Sequence, residues 1–207
     1  MAEAKVSEQA IRDGLARMKT ERVLPFRFIA AARYAPQWEP ELEKAMLRSL
    51  EGQSKLPGKT VLLVDVSGSM DVQLSRRSEM RRNDAAYGLA VLLREIAENV
   101  SIYTFSDRLV RVPSRQGFAL RDALNASQPH NGTYMGQALK GIDEKYDRLI
   151  VITDEQSHDP VPNPKARGYM LNVASYQNGV GYGSWMHIDG WSDSVIEYIR
   201  AAEPVLG

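Results

Sequence analysis

The spacing of hydrophobic positions changes near residue 57 of this 207-residue chain. Before that point, apolar residues recur three and four positions apart, which is the spacing of helices that pack through one face. After it, short continuous apolar runs alternate with longer helical patterns, which is typical of a parallel sheet with helical crossovers. The pattern therefore predicts a helical segment over residues 1–56 and an α/β domain over residues 57–207.

The helical segment contains three predicted helices. The first begins after Ser7, a residue type that caps helix N-termini, and the other two cover residues 25–35 and 39–51. Both of these have proline in the first turn, where its missing N–H costs nothing. Residues 54–59, SKLPGK, are expected to link the helices to the first strand.

The α/β domain is predicted to have a Rossmann-like, doubly wound and mostly parallel six-stranded sheet, with right-handed crossovers. Predicted strands cover residues 61–65, 101–105, 108–112, 148–153, 168–174 and 184–188. Predicted helices cover residues 78–99 or 83–99, 117–126, 133–140 and 195–202. The segment 108–112 follows a tight turn, so we expect it to be one antiparallel edge strand.

Composition narrows the class of protein. The chain has 26 Lys plus Arg and 26 Asp plus Glu, so no net charge points to nucleic acid or to a membrane surface. Without cysteine, it has neither disulfides nor thiolate metal sites. No apolar run approaches the roughly 18–20 residues that span a bilayer, and the start lacks a signal-peptide core. We therefore expect a cytoplasmic protein without membrane contact.

The candidate chemistry follows the first predicted strand. Residues 60–64 are apolar or β-branched, and Asp65, Ser67 and Ser69 follow directly. Polar groups in this position lie at the carboxyl edge of a parallel sheet, where α/β proteins bind ligands. One carboxylate and two hydroxyls supply the hard oxygen donors that Mg²⁺ or Mn²⁺ prefers. The pattern predicts part of a divalent metal site.

The segment Asp65-Val66-Ser67-Gly68-Ser69 resembles the DxSxS signature of von Willebrand factor A domains. That resemblance implies a metal-ion-dependent adhesion site, which also takes a threonine from a second loop and an aspartate from a third. Thr133 in HNGTYMGQAL and Asp154 in RLIVITDEQ follow in the expected order. The resemblance further implies that the aspartate often acts through a water. The expected metal ligands are Asp65, Ser67, Ser69, Thr133 and Asp154.

A narrower resemblance involves both parts of the chain. The segments LPFRFIAAARYAPQWEPELEKAM and LPGKTVLLVDVSGSM are similar to the junction in Ro autoantigen (TROVE) proteins, where a helical ring passes into a von Willebrand A-like domain. The A-like match covers residues 57–207, and the ring match at most residues 22–56. In that family the ring carries most recognition of small cytoplasmic RNAs. Small non-coding RNA is thus an expected partner only through the wider ribonucleoprotein assembly.

The predicted donor set indicates what kind of partner would bind. Two carboxylates and three neutral hydroxyls leave a divalent ion incompletely neutralised, with a coordination position open. An acidic group from a protein partner would complete the shell. We therefore expect a non-catalytic, metal-dependent ligand-binding domain that captures an acidic group.

Three alternatives remain open. Asp65, Ser67, Ser69 and Thr133 are residue types that also cap helices without any metal. A second alternative is an RNA-binding module, in which a basic cluster contacts phosphate. The cluster consists of Arg76, Arg77, Arg81 and Arg82. The third is a metal-dependent hydrolase, for which the sequence identifies no general base. His158 could also form a Ser–His–Asp arrangement with Ser67 or Ser69, although the segment lacks the GxSxG pattern.

Overall fold

The change in hydrophobic spacing corresponds to two units in the computed structural model, Met1–Gln53 and Ser54–Gly207. The sequence pattern places the boundary between residues 56 and 57, a few positions later. The structure describes residues 6–20, 23, 25–75, 80–174, 179–180, 183–190 and 194–203. Among the predicted site residues, Arg76 and Arg77 lie outside the described residues.

The first unit is built from helices. They are α1 (Glu8–Arg17), α2 (Pro25–Tyr34) and α3 (Glu39–Leu50), with a 3₁₀ turn over Pro36–Trp38. The predicted cap is confirmed, because the Ser7 hydroxyl accepts a hydrogen bond from the amide of Ala10 at 3.2 Å. Helix α3 buries one apolar face formed by Leu42, Ala45, Met46 and Leu50. No strand occurs among the described residues of this unit.

The second unit alternates strands and helices as the sequence predicts. Its strands are β1 (Leu56–Asp65), β2 (Ala97–Phe105), β3 (Leu109–Val112), β4 (Arg148–Thr153), β5 (Arg167–Asn172) and β6 (Trp185–Asp189). Its helices are α4 (Arg82–Ile96), α5 (Gly117–Asn125), α6 (Met135–Gly141) and α7 (Ser194–Ala202), with a 3₁₀ turn over Gly68–Asp71. The strand order in the described sheet is β3-β2-β1-β4-β5-β6. Only β3 runs antiparallel, so the predicted fold class is confirmed.

Strand β1 lies where the strand order reverses, between β2 and β4. This is the position at which open α/β sheets form a crevice beyond the strand ends. From Val61 to Val66 every residue of the β1 segment is completely buried. The register pairs Val64 with Ile152, which brings the next residues, Asp65 and Thr153, side by side at the carboxyl edge.

Helices cover the sheet and hold β1 in the core. On one face, Val61 and Leu63 of β1 belong to a buried cluster with Met135 and Leu139 of α6. Because side chains alternate along a strand, Leu62 points to the opposite face. Helix α4 contacts β1, β2 and β4. The polar residues that follow β1 are thus supported by a rigid strand.

Two predicted boundaries are wrong for one common reason. We predict a linker over residues 54–59 and a helix continuing to residue 99, but β1 begins at Leu56 and β2 at Ala97. Leu56 pairs with Ala97 and Lys59 with Asn99, with an irregular register between them. Gly58, at φ +77°, adopts a backbone conformation that side chains disfavour. Pairing between these distant segments therefore overrides the local linker pattern at residues 56–59 and the local helical pattern at residues 97–99.

Candidate metal centre

The first loop of the site orders its donors around Asp65. This residue ends β1 and is completely buried. Its Oδ1 accepts a hydrogen bond from the Ser67 amide at 2.9 Å, and its Oδ2 accepts one from the Thr153 hydroxyl at 2.7 Å. The hydroxyl oxygens of Ser67 and Ser69 lie 3.2 Å apart. The carboxylate and hydroxyls are thus fixed on one short segment.

The second loop is hydrogen-bonded to the first. The amide of Gly68 donates to the carbonyl of Asn131 at 3.0 Å. A Cβ atom at Gly68 would lie 3.3 Å from the His130 carbonyl oxygen and 3.4 Å from that of Asn131, so the close approach favours glycine. Thr133, two residues further along, is 5 % exposed. The loop that carries Thr133 therefore packs directly against the DxSxS segment.

Strand β2 holds the same loop from its other side. Ser106, directly after β2, donates its hydroxyl proton to the Gly132 carbonyl at 3.0 Å. Its own hydroxyl oxygen accepts from the Asn131 amide at 2.8 Å. The amide of Tyr134 donates to the Ser106 carbonyl at 3.0 Å. The loop that carries Thr133 is consequently held by the segments that follow β1 and β2.

The third loop, which follows β4, is joined to the second. The Thr133 amide donates to Nδ1 of His158 at 3.2 Å, and the His158 amide donates to the Thr133 carbonyl at 2.8 Å. Asp154, the first residue of this loop, is completely buried. The structure thus places Asp65, Ser67, Ser69, Thr133 and Asp154 on three interlocked loops at one edge of the sheet.

Helix α6 is capped by the third loop. The carboxylate of Asp159 accepts hydrogen bonds from the amides of Gly136 at 2.9 Å and Gln137 at 2.7 Å. Thr133 precedes the helix instead of beginning it, so the predicted start at residue 133 is too early. Ser67 likewise makes no side-chain capping hydrogen bond to the 3₁₀ turn that follows it. Helix capping therefore does not explain Ser67, and it does not place Thr133 at the start of α6.

Arg82 adds a buried cation that the sequence does not reveal. The residue begins α4 and is 7 % exposed. Its Nη1 donates to Oδ2 of Asp154 at 2.6 Å and to the Ser69 carbonyl at 3.2 Å. Of the other predicted phosphate contacts, Arg81 is exposed. The cluster therefore does not present a uniform basic surface in the part that the structure describes.

The electrostatics of the site centre on Asp65. Burial raises the pKa of its carboxyl to about 7, although hydrogen bonds from Ser67 and Thr153 oppose this increase and the nearby Asp154 carboxylate adds to it. The charged form of Asp65 is therefore poorly compensated within the protein. A bound cation would stabilise that charged form.

The donor set fits a hard divalent ion. Mg–O distances near 2.1 Å place neighbouring oxygens of an octahedral shell about 3.0 Å apart. The separation of 3.2 Å between the Ser67 and Ser69 hydroxyls is close to that value. Among the described residues there is no group of three or more His, Asp or Glu side chains that could hold a metal. A metal would therefore depend on hydroxyl oxygens as well as carboxylates.

Glu155 forms a separate pair beside the site. It is 2 % exposed, and its Oε1 lies 2.7 Å from Nδ1 of His187 on β6. At φ 58° it is the one described non-glycine residue with positive φ. This conformation turns the chain sharply after Asp154. The sequence gives no indication of it, because aspartate and glutamate at a strand end are ordinarily solvated.

Gly136 provides a test of how tightly the loops pack. A Cβ atom there would collide with the carbonyl oxygen of Pro160 and approach Oδ2 of Asp159 at 2.8 Å. We expect Gly136→Ala to lower the free energy of unfolding by about 1–3 kcal/mol, because the backbone must move. Urea unfolding measures this. Gly141→Ala is the matched control, since its Cβ would meet only the flexible Leu109 side chain, at 3.2 Å. Equal losses of stability in the two variants would contradict tight packing of the third loop against Gly136.

Comparisons with known proteins identify the fold. No family model matches the chain, and no curated protein matches it. The structure of the Ro (RSR) protein of Deinococcus radiodurans is similar with a TM-score of 0.71 at 16 % identity, covering 97 % of this chain and 49 % of that chain. This chain thus spans about half the length of that Ro protein.

Two further solved structures are less similar. An aerotolerance-related membrane protein of Bacteroides fragilis matches with a TM-score of 0.47 at 15 % identity, covering 70 % of this chain and 98 % of that chain. BatB of Bacteroides thetaiotaomicron matches with a TM-score of 0.45 at 15 % identity, covering 70 % of this chain and 96 % of that chain. In this chain, no helix within the described ranges has the length and apolarity to cross a membrane.

The Deinococcus likeness agrees with the observed topology. It covers nearly the whole chain, and the strand order places the DxSxS segment at the reversal of the sheet. The resemblance to the von Willebrand factor A-like domain of Ro proteins is confirmed at the level of the fold.

Proposed function

We propose that this chain is a non-catalytic, divalent-metal-dependent domain that captures an acidic group of a protein partner. The observation that carries the proposal is the three-loop cluster of oxygen donors around Asp65. Its carboxylate is buried and pairs with no cation in the part of the chain that the structure describes, whereas Asp154 pairs with Arg82. The chemical character of these donors suits Mg²⁺, or Mn²⁺ in its place.

Individual residues would hold the ion in distinct ways. Asp65 would contribute a carboxylate oxygen, and Ser67 and Ser69 their hydroxyls. Thr133 and Asp154 would bind directly or through water. The ion would supply a localised double positive charge that attracts oxygen ligands. Thr153 would keep Asp65 oriented, because its hydroxyl donates to Oδ2 at 2.7 Å.

Charge favours an acidic ligand. A divalent ion and the Arg82 guanidinium together exceed the charge of Asp65 and Asp154 by one positive unit. An incoming carboxylate would neutralise that excess in a largely desolvated place, where charge pairing is stronger than in water. A neutral ligand would leave that excess positive charge uncompensated. This balance supports capture of a glutamate or aspartate side chain.

Two features favour binding over hydrolysis. His158 uses Nδ1 to accept a hydrogen bond from the Thr133 amide, which commits one ring nitrogen to loop structure. Its ring also meets Tyr134 edge-on at 5.4 Å between centroids. A hydrolytic site would need a general base directed at a nucleophile or at water. His158 instead supports the loop that carries Thr133.

RNA remains a partner only through the wider assembly of Ro-like ribonucleoproteins. The described part of the basic cluster offers Arg81 to solvent, while Arg82 is buried against Asp154. Direct RNA binding by the cluster would weaken steeply with salt and persist after chelation of the metal. Fluorescence anisotropy with a labelled single-stranded RNA distinguishes that behaviour from metal-dependent capture of an acidic protein group.

The open coordination position can be tested with Mn²⁺ and acetate. Bound Mn²⁺ should enhance the relaxation of water protons, because the coordination positions that the protein does not fill are occupied by exchangeable waters. We expect acetate to reduce the enhancement by displacing water, while equal concentrations of chloride leave it unchanged. Asp143→Asn, at an exposed position before β4, is the control variant and should behave like the parent. If the enhancement is insensitive to acetate, acidic capture is wrong.

A further inference from the structure

A single guanidinium nitrogen connects two of the loops that carry the predicted metal ligands. Nη1 of Arg82 donates to the carbonyl of Ser69, in the first loop, at 3.2 Å. The same nitrogen donates to the carboxylate of Asp154, in the third loop, at 2.6 Å. The side chain of Arg82 is 8 % exposed and that of Asp154 is completely buried. Arg82 therefore crosses the site instead of extending from its surface.

The arrangement is not what a helix start requires. The amide of Arg81, just before α4, already donates to the Asp84 carboxylate at 2.7 Å, which completes an acidic cap. Arg82 is in the first turn, where a positive charge is unfavourable next to the helix dipole. Burying a guanidinium also requires desolvation that its anion must offset. Its position is thus explained by the Asp154 carboxylate and not by the helix.

Arg82 has electrostatic consequences for any ion bound by the two loops. It carries a fixed positive charge, because a guanidinium does not lose its proton in proteins. Within a poorly solvated site, like charges repel more strongly than in water. Arg82 also holds Oδ2 of Asp154, an oxygen that would otherwise strengthen the metal's coordination or that of its bound water.

We propose that Arg82 is a built-in competitor of the divalent ion, which lowers the metal affinity of the site by pairing with Asp154. This rests on the proposed metal-dependent function. In the metal-free protein, Arg82 replaces the ion as the cation that holds the first and third loops together. When the ion binds, the Asp154 carboxylate serves two cations. The site is consequently preformed, but its metal affinity is moderate.

Calorimetric titration of Mg²⁺ into chelator-treated Arg82→Gln and parent protein tests the proposal. Glutamine keeps a hydrogen-bond donor and removes the charge. We expect binding on the order of tenfold tighter in Arg82→Gln, because a repulsive charge at short range is gone. Arg81→Gln, at the exposed neighbouring position, is the matched control and should leave the affinity within about twofold of the parent.

The role of Asp154 can be separated from general charge repulsion. In an Asp154→Asn background, Arg82→Gln should give a clearly smaller gain in Mg²⁺ affinity, because the carboxylate for which Arg82 and the ion compete has been removed. A gain of the same size in both backgrounds would contradict competition for Asp154. If Arg82→Gln is too unstable to titrate, Arg82→Lys keeps the charge and should bind Mg²⁺ within a few-fold of the parent. A Lys variant that binds as tightly as expected for Gln would also contradict the proposal.

The possible outcomes separate this proposal from the proposed function. If the parent and Arg82→Gln both fail to bind Mg²⁺, the metal-dependent function is wrong and the competitor role falls with it. If both bind and Arg82→Gln is equal or weaker, only the competitor role is wrong, and Arg82 is a structural tie. Tighter binding by Arg82→Gln, with Arg81→Gln unchanged, supports both.

Discussion

Asp65→Asn is expected to abolish divalent binding and to stabilise the metal-free protein. The carboxylate is completely buried, and its burial raises the pKa to about 7. At pH 8 the folded protein therefore contains a charge whose net cost is roughly 4 kcal/mol relative to the unfolded chain. Asparagine removes that charge and keeps an oxygen for the Ser67 amide. We expect a gain of about 2–4 kcal/mol in the free energy of unfolding.

The pH dependence has a definite sign. Between the ordinary pKa of 3.8 and the raised value of about 7, the folded state binds a proton on Asp65 that the unfolded state has lost. The contribution of Asp65 to stability therefore falls as pH rises through this window and is constant above it. Asp65→Asn should remove this fall.

Urea unfolding of chelator-treated parent and Asp65→Asn, at pH 5 and pH 8, measures both effects. Mg²⁺ at about 100 times its dissociation constant should raise the parent's free energy of unfolding by about 2.7 kcal/mol and leave the variant unchanged. Asp143→Asn, which changes an exposed carboxylate, should behave like the parent. A less stable Asp65→Asn at pH 8, or one that responds to Mg²⁺, would be inconsistent with a desolvated metal-binding carboxylate.

Glu203→Gln is expected to destabilise the second unit by about 3–5 kcal/mol, because it leaves the buried Arg148 guanidinium without its main anion. Oε1 of Glu203 accepts hydrogen bonds from Arg148 Nε at 2.8 Å and from the Tyr169 hydroxyl at 3.0 Å. Arg148 also donates to the Thr60 hydroxyl at 2.9 Å. The cluster ties the segment after α7 to three strands.

The Glu203 cluster also predicts sensitivity to acid. Burial raises the pKa of Glu203, but the hydrogen bonds and charge of Arg148 outweigh that effect and hold the pKa below its ordinary value. The unfolded chain therefore takes up the proton first as pH falls. Stability from this group is present above the ordinary pKa of 4.5 and is lost as pH falls through the lowered value.

Thermal and urea unfolding of Glu203→Gln and Glu197→Gln test this account. Glu197 pairs with Arg200 on the same helix, but its side chain is 71 % exposed, so its removal should cost less than about 1 kcal/mol. Glu203→Gln should also lose part of the parent's acid dependence. Similar costs for the two variants would show that the buried cluster does not stabilise the unit.

The features predicted well from sequence are those that local patterns determine. The apolar run at residues 148–153 forms β4 with the predicted limits, because a buried parallel strand needs continuous apolar residues. Asp65 is at the end of β1, as expected for the first charge after such a run.

Pairings between distant residues could not be predicted in the same way. Thr153 is an ordinary strand residue until the β1–β4 register places it beside Asp65. Arg82 belongs to a basic cluster in the sequence, yet it pairs with a carboxylate 72 positions away. Such partners depend on the relative placement of α4 and the third loop, which no local period encodes. The hydrogen bond from Thr153 to Asp65 and the pairing of Arg82 with Asp154 were therefore not predicted.

The central claim is that the DxSxS loop binds a divalent ion through its hydroxyls. Calorimetric titration of Mg²⁺ into chelator-treated parent and Ser67→Ala plus Ser69→Ala protein tests it most directly. Ser114→Ala is the control, since Ser114 is exposed and follows β3 near the opposite edge of the sheet. We expect one saturable site in the parent and in Ser114→Ala, and none in the double variant. Saturable binding that survives in the double variant would contradict the claim.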